Sequence, residues 1–274
     1  MPSLPPIKEE DVRHARSAPD GGAFDAPAAG EHDSDRAEYY ERLGDDALVL
    51  GQRLSEWCGR APALEVDLSL ANLALDLIGQ ATNFLGQAGD ADSLAFHRDV
   101  LDFRNCLLVE QPNGDFARTM VRQWLFSTWQ HMLYGALTGS SDADIAAVAA
   151  KAVKEVAYHR EISAEWVVRL GDGTEESARR MRDALGWCWR FVPELFEVDE
   201  VLQQLIDRGI AADPRAFEAA YFEALGRTLG EARLEAPAGQ RPILGGRRGH
   251  HSEHLGHLLA VMQHIPRTYP DAHW

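Results

Sequence analysis

Cysteine is scarce in this chain. It occurs three times in 274 residues, at Cys58, Cys106 and Cys188, with no C-x-x-C pair. An odd, scattered set cannot form a disulfide framework, and a reduced, cytoplasmic protein is expected. No apolar run approaches the eighteen or so residues a membrane helix needs, and the first 36 residues hold no signal-peptide core. Basic residues are in deficit: 27 Lys and Arg stand against 43 Asp and Glu, a net charge of -16. That balance excludes the basic stripe required by nucleic acids or anionic membranes, and leaves a solvated acidic surface that would also suit a basic partner. A Walker-type loop, a dinucleotide fingerprint after a strand and an H-E-x-x-H helix are all missing. Alternating Val and Ile stretches are missing too, which argues against a sheet, and no repeat of solenoid period is visible.

What is there begins with a segment rich in chain breakers. Residues 1–36 carry Pro2, Pro5, Pro6, Pro19, Pro27, Gly21, Gly22 and Gly30 among scattered charges. They cannot bury enough apolar surface to offset chain entropy, so a disordered tail is expected there and one helical domain over 37–274. In the domain, apolar residues recur at three and four. Tyr40, Leu43, Ala47, Leu50, Leu54 and Trp57 predict a helix over 36–58 that Gly59 and Pro62 stop. Val66, Leu70, Leu73, Leu77, Ala81 and Phe84 predict a second over 65–85. Beside the second stripe runs a polar row, Ser69, Asn72, Asp76, Gln80 and Asn83, open to two readings: a buried hydrogen-bonded row or a water-facing edge.

A short helix over 91–101 leads into irregular chain ending at Glu110-Gln111-Pro112-Asn113-Gly114-Asp115, a turn in which Asp115 or Asn113 caps the next helix. The third long helix is predicted over 116–137, the fourth over 142–170. Further helices are predicted over 175–191, 198–208, 214–229 and 250–263. Four long helices with single apolar stripes define an all-α four-helix bundle with additional C-terminal helices.

Bundles house metals between facing helices, and the di-iron version asks for a Glu from each of two helices and a Glu-x-x-His from each of the others. Acid and imidazole three apart share one inner face and neutralise the irons. No helix here meets that pattern. His159 would need an acid at 156 and finds Val156, while Glu155 lies about 100° away around the helix. The second helix offers Asp76 without a partner imidazole at Gly79, or Leu77 with Gln80. The third presents Ser127. The first keeps Glu56, beside its stripe. Too few ligands converge, and no metal is expected in this chain.

At these residues the chain resembles a known family. Leu43-Gly44-Asp45, Ala74-Leu75-Asp76-Leu77-Ile78-Gly79-Gln80-Ala81, Val109-Glu110-Gln111-Pro112-Asn113-Gly114-Asp115-Phe116, Lys154-Glu155 with Tyr158-His159, and His251-Ser252-Glu253-His254-Leu255-Gly256 are together similar to the C subunits of bacterial phenylacetyl-CoA ring-1,2-epoxidases. The resemblance runs from residue 38 to the end. It implies a ferritin-like fold, no catalytic residue and no cofactor in this chain. It also implies pairing with an A subunit that holds the di-iron centre, a small bridging B subunit, and a reductase drawing on NADPH. On this reading Glu56, Leu77, Gln80, Ser127, Val156 and His159 are vestigial ligand positions, and the isolated chain is expected to form homodimers through its vacant face.

Three readings stay in play: a structural subunit; a divergent di-iron oxygenase using Glu56, Asp76, Glu155, His131 and His159; and an acyl-CoA-binding helical module. For the last, Phe103, Arg104 and Asn105 are the candidate substrate contacts, because they fall in irregular chain between helices, where ligand contacts concentrate. The segment Gly245-Gly246-Arg247-Arg248-Gly249-His250-His251 invites an anion site, and His250 with His254 a zinc pair. Against these stand a plain loop and a helix start with ordinary histidines.

Overall fold

The structure, a computed structural model, describes residues 34–270 and 272. The expected tail therefore lies outside the described residues except for 34–36, which form the first turn of a helix. Among the described residues there are eleven α-helices and no strand. The long ones are α1 (Ser34–Ser55), α2 (Leu64–Ala88), α5 (Phe116–Leu137) and α6 (Ala143–Gly171). Between α2 and α5 come α3 (Ala91–Phe96) and α4 (Leu107–Glu110); after α6 come α7 (Glu175–Cys188), α8 (Glu200–Asp207), α9 (Glu218–Glu231), α10 (Glu253–Met262) and α11 (His264–Thr268).

The bundle is two hairpins joined by a crossover. α1 packs along α2, α5 along α6, and α2 against α6 closes the pair. The predicted stripes line its centre: Leu43, Ala47, Leu50 and Leu54 of α1 meet Leu70, Leu73, Leu77 and Phe84 of α2, all buried. Each such leucine contributes roughly 1.5–3 kcal/mol by leaving water. Gly44 lets the first hairpin close, since a Cβ there would sit 2.6 Å from Leu85 Cγ. Asp115 caps α5 through the Arg118 amide, and Asp142 caps α6 through the amides of Asp144 and Ile145. Asp142 also accepts the Tyr40 hydroxyl at 2.9 Å and pairs with Arg36 at 2.5 Å, fastening the start of α1 to the α5–α6 turn.

Several expected boundaries move, each for a local reason. The helix expected over 91–101 ends at Phe96, and Val100–Asp102 forms a separate 3-10 turn closed by Asp99 and Asp102. The helix expected over 175–191 stops at Cys188 and tightens into 3-10 chain at Trp189–Phe196, which contains Pro193; proline lacks the amide an α-helix would use. The segment 214–229 divides into a 3-10 turn at Pro214–Phe217 and α9. α10 starts at Glu253 rather than at 250, because Gly249 takes a left-handed conformation (φ 77°) and the Ser252 amide is held elsewhere.

Candidate functional site

Five of the six candidate ligand positions come together. Leu77 and Gln80 of α2, Ser127 of α5, and Val156 and His159 of α6 are all buried inside the bundle. Glu56 does not join them. It lies just past the last residue of α1, its side chain 41% exposed, held by Arg53 at 2.7 Å and by the Asn113 amide at 2.9 Å.

The polar groups at the seam bind one another. Asp76 and Gln80 lie one turn apart on α2, opposite Glu155 and His159, one turn apart on α6. The bonds run crosswise: His159 Nε2 to Asp76 Oδ2 at 3.0 Å, and Gln80 Nε2 to Glu155 Oε2 at 3.0 Å. Gln130 donates to Gln80 Oε1 at 3.3 Å and to the Tyr134 hydroxyl at 3.0 Å. Ser163 donates to the His159 carbonyl and meets Ser127 at 3.4 Å. Burial pushes the Tyr134 phenol above its ordinary range, and the Gln130 bond only partly offsets that. The polar row of α2 thus splits, with Gln80 buried, Asp76 half-buried, and Asn72 and Asn83 in water.

This donor set does not fit a di-iron centre. Leu77 and Val156 stand where acids are needed, Ser127 is too short and too weak a base, and the acids that remain already hold partners. Among the described residues no three His, Cys, Asp or Glu side chains are grouped to hold a metal ion. The five residues of the enzyme reading separate accordingly. Asp76, Glu155 and His159 share the α2–α6 seam, Glu56 sits at the α1–α2 turn, and His131 faces the Arg160 guanidinium at 3.3 Å. Burial and that guanidinium lower the His131 pKa.

The candidate substrate contacts turn inward. Phe103 is buried under the Arg98 guanidinium, 4.4 Å from its ring centroid. Asn105 is buried and donates to Glu110 at 2.9 Å. Arg104 is half-buried, with its guanidinium on the carbonyls of Leu101 and Phe103 at 2.8 and 2.9 Å. Of the three, Arg104 lines an open depression of about 320 Å³, where Arg42, Arg247 and Arg248 alternate with the acids Glu38, Asp199 and Glu200. The zinc pairing of His250 with His254 does not form: His250 precedes α10 and is exposed, so the two never share a helical face. In the Gly-rich segment, Arg247 points inward to Asp46 at 2.7 Å and Arg248 outward to Glu197 at 2.5 Å.

Sequence reasoning missed a hub of buried charge around residues 103–115. Four buried carboxylates converge on this connector. Asp45 accepts the Arg104 amide at 2.8 Å and both terminal nitrogens of Arg98. Asp46 accepts the Cys106 amide and Arg247, each at 2.7 Å. Glu194 accepts the amides of Leu107, Gly245 and Gly246 at 2.6, 2.8 and 2.7 Å. Glu110 accepts Asn105, the Ser252 amide at 2.7 Å and His251 Nδ1 at 2.7 Å. Gly246 is required here, because a Cβ would lie 2.3 Å from the Asn105 carbonyl. Burial raises the pKa of Asp45 and of Glu194; the Arg98 charge opposes it in the first, three backbone amides and Arg247 in the second.

His251 faces an acceptor at each ring nitrogen, Glu110 at Nδ1 and the Phe103 carbonyl at Nε2, 2.9 Å away. Only the imidazolium donates at both. Burial works against that charge, but the Glu110 bond and charge and the Phe103 carbonyl outweigh it, and the His251 pKa is raised. Its stabilising contribution is therefore whole below the unfolded value of about 6.5 and is lost as pH rises through the folded value. Urea unfolding from pH 6 to 9 should show the gap between the parent and His251→Gln narrowing with rising pH. A constant gap would remove the charge from this account.

Fold and seam together define a ferritin-like helical bundle whose buried candidate ligand positions hold two aliphatic side chains, one hydroxyl, one amide and one imidazole. The family model described as phenylacetic acid catabolic protein matches residues 25–274. The chain is also similar to the C subunit of the 1,2-phenylacetyl-CoA epoxidase of Escherichia coli (strain K12), at 49% identity over 242 residues, 86% of this chain and 98% of that protein. This chain belongs to the phenylacetic acid catabolic protein family.

Proposed function

We propose that this chain is the structural, non-catalytic subunit of a phenylacetyl-CoA epoxidase in phenylacetate catabolism. The observation that carries the reading is the seam: three residues before Gln80 and His159 stand the buried aliphatic Leu77 and Val156, and Asp76 and Glu155 are bound to His159 and Gln80. Two unmetallated carboxylates in that space would cost several kcal/mol each, so their replacement by aliphatic chains stabilises a bundle that holds no iron. Its contribution to catalysis is then mechanical. A rigid bundle, braced by the hub at residues 103–115, presents a stiff surface to a di-iron A subunit of related fold and keeps that subunit's helices in the geometry its irons need. A small B subunit bridges such pairs, and a reductase is an indirect partner of this chain. The wholly buried Cys106 and Cys188, with thiols pushed up by burial (Cys188 to about 12), and the unpaired, exposed Cys58 suit a reducing cytoplasm.

Co-production with the A subunit tests this. The account expects a stoichiometric complex, epoxidase activity only when both chains are present, and iron that stays with the A subunit. Full activity of the A subunit alone, or activity of this chain alone, would overturn it. The acyl-CoA reading rests on Arg104 and its depression; calorimetry with a CoA thioester on the isolated chain addresses it, and no heat at high ligand concentration dismisses it.

A further inference from the structure

On the outer face of α2 three leucines stand in water: Leu64 at 70%, Leu68 at 57% and Leu75 at 66% exposure. At about 100° per residue they fall within roughly 40° of one another, and Gly79 and Gly86 continue the stripe within about 60°. Scattered exposed leucines need no explanation, but three in register along one helix do. The glycines add a second fact. A Cβ at Gly79 or at Gly86 would meet nothing within 4 Å, so no packing among the described residues requires them. In a helix interior glycine is destabilising relative to alanine. Residues without side chains at open helical positions let another backbone approach closely. The lower half of the stripe opens onto a cleft of about 100 Å³ between α2 and α6, lined by Leu75, Asp76, Gly79, Asn83, Lys151 and Glu155.

Charge decides the occupant. α2 carries Glu65, Asp67 and Asp76 and neither lysine nor arginine. A second copy laid on this face would oppose Glu65 and Asp67, which flank the stripe, with their own like charges, in a chain whose net charge is already -16. A helix with an apolar stripe flanked by Lys or Arg complements it in both respects. We infer that the outer face of α2 is the docking surface for a helix of a non-identical subunit, packed lengthwise over Leu64, Leu68 and Leu75, with its backbone closest at Gly79 and Gly86. Resting on the proposed function, this assigns the surface to the A subunit and gives that subunit a basic-flanked apolar helix.

The full chain and the A subunit are mixed and their affinity measured for the parent, for Leu68→Glu with Leu75→Glu, for Gly79→Leu with Gly86→Leu, and for Val261→Glu. Val261 is the control, an exposed apolar residue (81%) on α10. Each α2 pair should weaken binding at least tenfold, as loss of central interface residues does, while Val261→Glu leaves it unchanged. Melting temperatures should hold within about two degrees for the glutamate variants and should not fall for the leucine pair, because these side chains touch little of their own chain. Gly79→Ala with Gly86→Ala should raise the melting temperature through helix propensity alone. Parent binding with unaltered affinity in both α2 pairs overturns the surface and leaves the subunit assignment standing. No binding by the parent overturns the assignment and the surface with it. Self-association of the chain alone that Leu68→Glu abolishes, with A-subunit affinity unaltered in the same variant, overturns the non-identical partner in favour of a second copy.

Discussion

Glu110→Ala should lower the stability of this protein by about 3–5 kcal/mol, the range for removing one partner of a buried ion pair. Its carboxylate accepts the His251 imidazolium, the Ser252 amide and the Asn105 side chain in a site closed to water. Alanine removes the charge that holds the second proton of the buried His251 imidazole and orphans the Ser252 amide, a larger loss than a hydrogen bond between neutral groups. The damage spreads, because this site ties the crossover between the two hairpins to the segment before α10. The Glu110 carbonyl receives Arg53 at 3.0 and 2.8 Å, and Arg53 also reaches the His254 carbonyl at 2.8 Å. For a domain of this size roughly 2–4 °C accompanies each kcal/mol, so the melting temperature should fall by about 10 °C. Pairing Glu110→Leu with His251→Leu should recover part of the loss, since neither charge is then stranded. A melting temperature within two degrees of the parent for Glu110→Ala would show that the hub does not brace the fold.

The second large effect concerns the seam. Leu77→Glu, Gln80→His and Val156→Glu together would restore an acid-x-x-His pair on both α2 and α6, using the His159 already present. Without metal the triple variant should lose several kcal/mol, because two acids and an imidazole replace side chains that are fully or nearly buried. Ferrous iron should restore part of that stability in proportion to its binding, as any ligand of the native state does. Chemical denaturation with and without iron reads both changes. A metal-free triple variant as stable as the parent would contradict the packed seam.

Much of the bundle could be read directly from residue spacing. α5 runs over the expected 116–137 behind the Asp115 cap, and Leu77, Gln80, Val156 and His159 of α2 and α6 lie inside. Periodicity is a local property, and these positions are decided locally. The hub is not. Asp46 and Arg247 are 201 residues apart, Glu110 and His251 are 141, and no spacing within one helix announces either pair. A signal did exist in α1, where Asp45 and Asp46 interrupt an otherwise apolar stretch that is buried on every side from Leu43 to Gly51. Short acids in such a stretch need partners from distant chain. The motifs that carry the family resemblance, around Asp45, Glu110 and His251, are largely the hub itself, so their specificity reflects a braced fold. Glu56 leaves the expected group for a simpler reason: the helix expected to reach residue 58 ends at Ser55, and the turn carries Glu56 out towards Asn113.

Iron content of the purified chain bears most directly on the central claim. Produced alone in iron-replete medium, the protein should carry far less than one iron per chain and show no absorption or magnetic signature of a coupled pair. Added ferrous iron should leave its melting temperature unchanged. Two irons per chain with spin coupling, lost on Asp76→Asn or His159→Gln, would mean that the seam between α2 and α6 holds a working metal centre and that the chain is an oxygenase in its own right.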